Sequence, residues 1–240
     1  MQTSKEFVWC PLVDESLYEN EAKRLSEIVG DRFEVMCISI AGDLTPEILR
    51  DSIVNSVGLS SGETVTTTRL DNDDALAPDY VRAMRELAAS CRERPFILDF
   101  PRGLVVDRSY DMVLTRGYFR SPFQTLVESP NLTEEMQTVF KYGHHLLADH
   151  FAYRVVDLPV PMWIMNVHGA NLANRAWGLP LKQAKLPDNL QPLLPQQAPK
   201  LARRVRYVVG MMYRYLRYVK RSGSYKRRLQ SALRNLYPGH

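Results

Sequence analysis

Three observations predict an α/β fold followed by a basic helical tail. Apolar extended runs alternate three times with helical periodicity over residues 1–91, the pattern of a parallel α/β sheet. From Phe96 the extended pieces become short and closely spaced, as in antiparallel or mixed sheet. Residues 189–240 then carry 12 Lys and Arg and no acid, which leaves 19 basic against 27 acidic residues for 1–188. An acidic body with a cationic tail points to a polyanionic partner for the tail, an anionic membrane surface or a nucleic acid.

The elements follow in order. Phe7–Val13 is an apolar run ending at Asp14, and Tyr18, Ala22, Leu25 and Val29 continue at helical spacing. Phe33–Ala41 reads as the second strand. Thr45-Pro46-Glu47 supplies a cap, a first-turn proline and an acid for the next helix, whose stripe is Leu49, Ile53 and Val57 and whose stop is Gly58. The β-branched run Thr64–Thr68 is the third strand, and Tyr80, Met84, Leu87 and Cys91 mark the third helix. Phe96–Phe100, Leu104–Val106, Met112–Thr115 and Phe123–Val127 are extended. A helix is expected over Leu132–Ala148, then extended segments Tyr153–Leu158 and Met162–Val167, with the body closing near Asn174. Five prolines at 180, 187, 192, 195 and 199 predict a linker over 179–199 between a domain at 1–178 and a tail at 200–240.

Composition removes several classes. Cys10, Cys37 and Cys91 are odd in number and lack C-x-x-C spacing, against a disulfide framework or cysteine-based zinc site and for a reducing, cytosolic setting. No apolar run approaches the roughly 20 residues of a membrane span, and residues 1–15 do not read as a secretion signal.

The strongest chemical signal is Asp71-Asn72-Asp73-Asp74, expected between a strand and a helix, where carboxylates lie at the carboxyl edge of a sheet and α/β folds bind ligands. Carboxylates spaced i, i+2 in a turn suit a hydrated Mg²⁺ or Mn²⁺ and a sugar nucleotide, because both cations favour hard oxygen ligands. A solvated acidic turn capping the next helix is the plainer alternative. An EF-hand is disfavoured, since its glycine and distal Glu are missing.

Thr67-Thr68-Arg69-Leu70-Asp71-Asn72-Asp73-Asp74-Ala75-Leu76, then Ser121-Pro122-Phe123-Gln124-Thr125-Leu126-Val127-Glu128, then Trp163-Ile164-Met165-Asn166-Val167-His168-Gly169-Ala170-Asn171-Leu172 together resemble a rhamnosyltransferase family, over residues 1–175. That family looks like a branch of the GT-A glycosyltransferases. The resemblance implies a GT-A-like mixed sheet flanked by helices and a metal-dependent enzyme. Such an enzyme moves a sugar, rhamnose by the family's label, from a nucleoside-diphosphate sugar to a glycan or lipid-linked hydroxyl acceptor. It implies donor contacts from Arg69 and Asp71, with Asp71 toward the ribose, and Asp74 as a sugar contact or a residue behind the site. Asp73 and His168 are implied as ligands of Mn²⁺ or Mg²⁺. Taken alone, a histidine ending an apolar strand is a structural hydrogen-bonding residue, so His168 rests on the resemblance.

Breaking a sugar–phosphate bond places negative charge on the departing diphosphate, which a cation stabilises. Inversion at the anomeric carbon also requires a base for the acceptor proton. The candidates are Glu128, His145 and Asp149; Glu128 is the choice, while His145 and Asp149 at i, i+4 also suit an ordinary surface pair. GT-A domains normally carry a strand and helix before the segment beginning Gln2-Thr3-Ser4. A shortened domain, a late-assigned start or a partly lost donor pocket are the expectations this raises.

In the tail, Val205, Val208, Met212, Leu216 and Val219 recur at helical spacing opposite Arg203, Arg206, Arg214, Arg217 and Arg221, with Tyr207, Tyr213, Tyr215 and Tyr218 interspersed. This predicts an amphipathic cationic helix, lying on the inner membrane face or packed on the body with its arginines in water. Nucleic-acid binding through the tail is disfavoured by the acidic body. The competing function is a catalytically degenerate domain that binds a membrane surface or nucleic acid through this tail.

Overall fold

A computed structural model describes residues 2–58, 62–91, 93–108, 112–117, 120–130, 135–168, 179–180, 202, 205–210 and 212–213. The chain divides into two compact units, residues 1–104 with 115–166 and residues 105–114 with 167–240. The expected end of the body near Asn174, the expected linker beyond the two-residue strand Leu179–Pro180, and the tail from residue 214 lie outside the described residues.

The first unit opens much as the periodicity predicts. Strands β1 (Val8–Trp9) and β2 (Leu12–Asp14) run parallel to β3 (Glu34–Val35) and β4 (Ile38–Ile40). Val8 faces Glu34 and Leu12 faces Ile38, the same offset, so the two pairs form one ladder interrupted at Pro11, which has no N–H to donate. Helix α1 (Tyr18–Val29) lies between them in sequence and donates the Tyr18 hydroxyl to the Cys37 carbonyl at 3.2 Å. Helix α2 (Pro46–Val57) is capped as expected. The Thr45 hydroxyl accepts the Ile48 N–H at 3.3 Å, and Gly58 ends the helix at φ 65°, where a side chain would be strained.

The remaining elements are β5 (Val65–Thr68), β6 (Ala75–Leu76), α3 (Tyr80–Ser90), β7 (Phe96–Asp99), β8 (Arg102–Asp107), β9 (Met112–Gly117), β10 (Thr125–Glu128), α4 (Leu147–His150), β11 (Ala152–Val155) and β12 (Trp163–Val167). Among the described residues β5 does not extend the parallel ladder of β1–β4. It is the edge of a mixed sheet ordered β11-β7-β10-β5, in which β10 is antiparallel to both neighbours and β11 parallel to β7. Helix α3 is fastened to this sheet by Tyr80, which is buried and donates its hydroxyl to the Phe123 carbonyl at 2.6 Å. Burial pushes that phenol's pKa up. Phe96, Ile97, Leu98, Phe100, Phe123, Leu126 and Trp163 form the apolar interior. Trp163 lies so close to Gly103 that a Cβ there would come within 2.0 Å of the indole, and its N–H reaches the Phe100 carbonyl at 2.8 Å.

Two expectations are corrected here. The helix over Leu132–Ala148 does not form in the described part of that segment; only Leu147–His150 is α-helical. The Glu128 carboxylate accepts the Gln137 and Thr138 N–H groups at 2.8 and 3.0 Å, and Thr138 takes φ 60°, so these backbone groups are directed away from a helical ladder. The acidic turn does not run straight into a helix either, because β6 intervenes and α3 begins only at Tyr80.

In the second unit Val105, Val106, Met112, Leu114 and Tyr207 are buried. The Arg108 N–H holds the Val167 carbonyl at 2.9 Å. Residues 205–210 and 212–213 are helical. Val205, Val209, Met212 and Tyr213 are 54, 60, 57 and 64% exposed, so Val205 and Met212 of the expected stripe face outward and Tyr207 is the buried residue instead.

Candidate functional site

The site is built on the turn between β5 and β6. The Asp74 N–H closes it on the Asp71 carbonyl at 3.1 Å. Strand β12 lies antiparallel to β6, with Trp163 opposite Leu76 and Ile164 opposite Ala75. Continuing that register places Asn166 opposite Asp73. The Asn166 backbone N–H donates to Asp74 Oδ1 at 2.8 Å, and its side-chain Nδ2 donates to the Asp73 carbonyl. The other amide atom, Asn166 Oδ1, is buried with no hydrogen-bond partner among the described residues. Asp74 is thereby engaged in joining two strands, while Asp71 and Asp73, both half-buried, stand on the turn's other positions.

Arg69 connects the turn to a cavity. Its Nε and Nη2 both reach Asp71 Oδ1 at 3.1 Å, and its guanidinium lies 5.9 Å from the centre of the Phe140 ring. The cavity holds about 140 Å³ and is lined by Arg69, Gln124, Phe140, Tyr142 and His144, with Val139 and Leu147 on its apolar side. That side belongs to a core cluster of Ile97, Leu126, Val139 and Leu147, which ties the cavity wall to β7 and β10. Burial, then the Arg69 and His145 charges, push the His144 pKa down, with Asp71 opposing, so the neutral imidazole is favoured. Behind Gln124, Asp99 is fully buried and accepts the Ser121 N–H at 2.9 Å and the Tyr153 hydroxyl.

The predicted residues are only partly gathered here. Arg69, Asp71, Asp73 and Asp74 share the turn. Glu128 does not join them, because Thr125 pairs with Thr68 at the turn end of β5 whereas Glu128 pairs with Val65 at the other end. Three residue steps at about 3.3 Å each put it about 10 Å further along the strand. It is 4% exposed, both oxygens hold backbone N–H groups, and burial raises its pKa against those two bonds. Through those two bonds Glu128 holds the segment that carries Val139 and His144. The His145–Asp149 pair is also replaced: α4 excludes His145, and Asp149 pairs with Arg120 at 2.9 Å, whose other nitrogen binds the His145 carbonyl at 2.5 Å. His168 is half-buried and belongs to the second unit, whereas the acidic turn belongs to the first.

Three residues escape the sequence reading as individuals: Asn166, Gln124 and His144. The first two carry a legible signal, an amide inside an apolar strand sequence, Trp163–Val167 and Phe123–Val127. His144 carries none, since its segment reads as helix.

The fit to a divalent cation can be judged from the donors. Asp71, Asp73 and the unpartnered Asn166 Oδ1 are hard oxygens of the kind Mg²⁺ and Mn²⁺ take. Among the described residues no three His, Cys, Asp or Glu side chains converge, so a cation here would share its shell with substrate oxygens and water.

The fold is mixed α/β, and its acidic turn sits at the carboxyl end of β5, beside Arg69 and the cavity of about 140 Å³. The chain belongs to the family described as "Putative rhamnosyl transferase", which matches residues 1–179 and supports a glycosyltransferase. No curated protein and no solved structure matches the chain.

Proposed function

We propose that the protein transfers a sugar, rhamnose by the family's description, from a nucleoside diphosphate to a hydroxyl of a glycan or lipid-linked acceptor, with the GT-A organisation. The observation that carries this reading is the Asp71–Asp74 turn held against Asn166 in a chain of this family. Asp73, Asp71 and the Asn166 amide oxygen would hold Mg²⁺ or Mn²⁺. When bound, the cation supplies positive charge to the diphosphate leaving group.

The chain's own residues do the rest. Arg69, fixed by Asp71, directs a second positive charge to the donor side. Asp74 keeps the turn in register with β12. In an inverting transfer the anomeric C–O bond breaks with its electron pair leaving on the diphosphate. The acceptor oxygen then forms the new C–O bond, and its proton passes to an imidazole nitrogen of His144, the cavity's neutral base.

The cationic tail is proposed to bring the enzyme to an anionic membrane surface. Val205, Val209, Met212 and Tyr213 are exposed on a helix whose surrounding sequence is rich in arginine. No helix among the described residues is long and apolar enough to cross a membrane. The test is release of nucleoside diphosphate from a panel of nucleoside-diphosphate sugars with Mn²⁺, Mg²⁺ or chelator. Metal-dependent release enhanced by a hydroxyl acceptor supports the reading, and no release from any donor contradicts it.

A further inference from the structure

We propose that the buried carboxylate of Asp99, together with the Ser121 hydroxyl, holds a single monovalent metal cation, K⁺ or Na⁺. Asp99 ends β7 and is 0% exposed, as is Ser121 on the approach to β10. One carboxylate oxygen is fully engaged: Oδ2 accepts the Ser121 N–H at 2.9 Å and the Tyr153 hydroxyl from β11. The other, Oδ1, and the Ser121 Oγ are both buried with no hydrogen-bond partner among the described residues. The two unused oxygens therefore belong to residues already in direct contact, within an interior that includes Leu98, Phe100 and Phe123.

Charge narrows the occupant. Among the described residues no cationic side chain forms an ion pair with Asp99; Arg120, whose charge reaches Tyr153, places its guanidinium on Asp149 and on the His145 carbonyl. Burial, then the bond to Asp99, raise the Tyr153 pKa, so that phenol keeps its proton and donates without neutralising the carboxylate. The Gln124 amide bonds the same phenol oxygen. An ionised carboxylate taken out of water is strongly destabilising unless a cation pairs with it. A water molecule would satisfy Oδ1 and Oγ but leave the charge uncompensated. A divalent ion would exchange one excess charge for another, and among the described residues no three His, Cys, Asp or Glu side chains converge to hold it. One carboxylate oxygen, one hydroxyl oxygen and water suit an ion with a single positive charge. The ion fastens β7 to the turn that leads into β10, and so supports Gln124 in the cavity wall. This inference stands on the buried network and is independent of the sugar-transfer reading.

The test is thermal unfolding of the full chain in choline chloride, NaCl and KCl at one ionic strength, so that screening is equal and the cation alone differs. Choline is too large to enter a buried site. A cation at about ten times its dissociation constant should raise the wild-type midpoint by about 3–6 °C, with a saturating dependence on concentration. The ion that saturates at the lower concentration is the one the site prefers. Asp99→Asn keeps an acceptor for the Ser121 N–H and removes the charge. Its midpoint should be insensitive to the cation and, in choline chloride, equal to or above that of wild type. Ser121→Ala keeps the N–H and removes the hydroxyl ligand. It should raise the half-saturating concentration about tenfold or more, which keeps the test decisive if Asp99→Asn does not fold. A wild-type midpoint that is the same in the three salts, the result an Asp99 neutralised by a proton would give, overturns the proposal. So does a cation-dependent rise retained by Asp99→Asn, a midpoint of Asp99→Asn lowered in all three salts, or an unchanged half-saturating concentration in Ser121→Ala.

Discussion

Asp74→Ala separates a carboxylate that builds the turn from one that binds the donor. The Asp74 Oδ1 accepts the Asn166 N–H at 2.8 Å in a half-buried position, and this bond joins the turn to β12. A hydrogen bond to a charged group contributes about 1.5–3 kcal/mol, and truncation also leaves the Asn166 N–H without that acceptor. For a chain of this length each kcal/mol moves the midpoint by about 2–4 °C, so Asp74→Ala should unfold about 3–12 °C below wild type. Asp74→Asn keeps an acceptor oxygen but loses the charge assistance, and should fall between the two. The assay is thermal unfolding by circular dichroism, repeated in urea to verify an unchanged slope. A midpoint within 1 °C or so of wild type for Asp74→Ala would refute the structural assignment.

Other expectations follow from the same geometry. Burial raises the Glu128 pKa in the folded protein, so the fold binds that proton more tightly than the unfolded chain does. Its stabilising contribution is full below the unfolded value of about 4.3 and is lost as pH rises through the folded value. The stability of wild type relative to Glu128→Gln should therefore decline as pH is raised across that window in urea titrations; a flat or rising difference would contradict it. His144→Ala should lower turnover by about 10²–10⁴-fold. The wild-type rate should fall on acidification through an ionisation below the ordinary histidine value of 6.5, and an acid limb retained by the variant would remove His144 as the base. Removing residues 200–240 should abolish co-sedimentation with vesicles containing phosphatidylserine while leaving neutral vesicles unaffected, and undiminished binding would exclude the tail as the anchor.

The local elements of the first unit were the most legible in the sequence. Thr45, Pro46 and Gly58 mark the ends of α2 through their own backbone chemistry, and the spacing of Tyr80 and Met84 reports the face that α3 buries, although Val81 and Ala88 rather than the expected Leu87 and Cys91 complete it. Pairing was less legible, because β5 chooses β10 through partners distant in sequence, such as Thr68 with Thr125 at 2.6 Å between hydroxyls. The failed helix over Leu132–Ala148 has the same cause: the apolar periodicity is present, but Glu128 captures two of the N–H groups that segment offers. At the site, the acidic turn was readable from composition and position. The division of labour within it was not, since Asp74 differs from Asp73 only through the register that brings Asn166 across from them. The outward face of Val205 and Met212 was likewise undetermined, because helical spacing defines a stripe without saying what covers it.

The central claim is that the Asp71–Asp74 turn binds the donor's diphosphate together with a divalent cation. Calorimetric titration of nucleoside diphosphates into wild type and Asp73→Ala, with Mn²⁺ and then with chelator, tests it most directly. The account predicts binding by wild type that requires the cation and disappears in Asp73→Ala, with the variant still folded by circular dichroism. Binding that survives either the chelator or the substitution would contradict it.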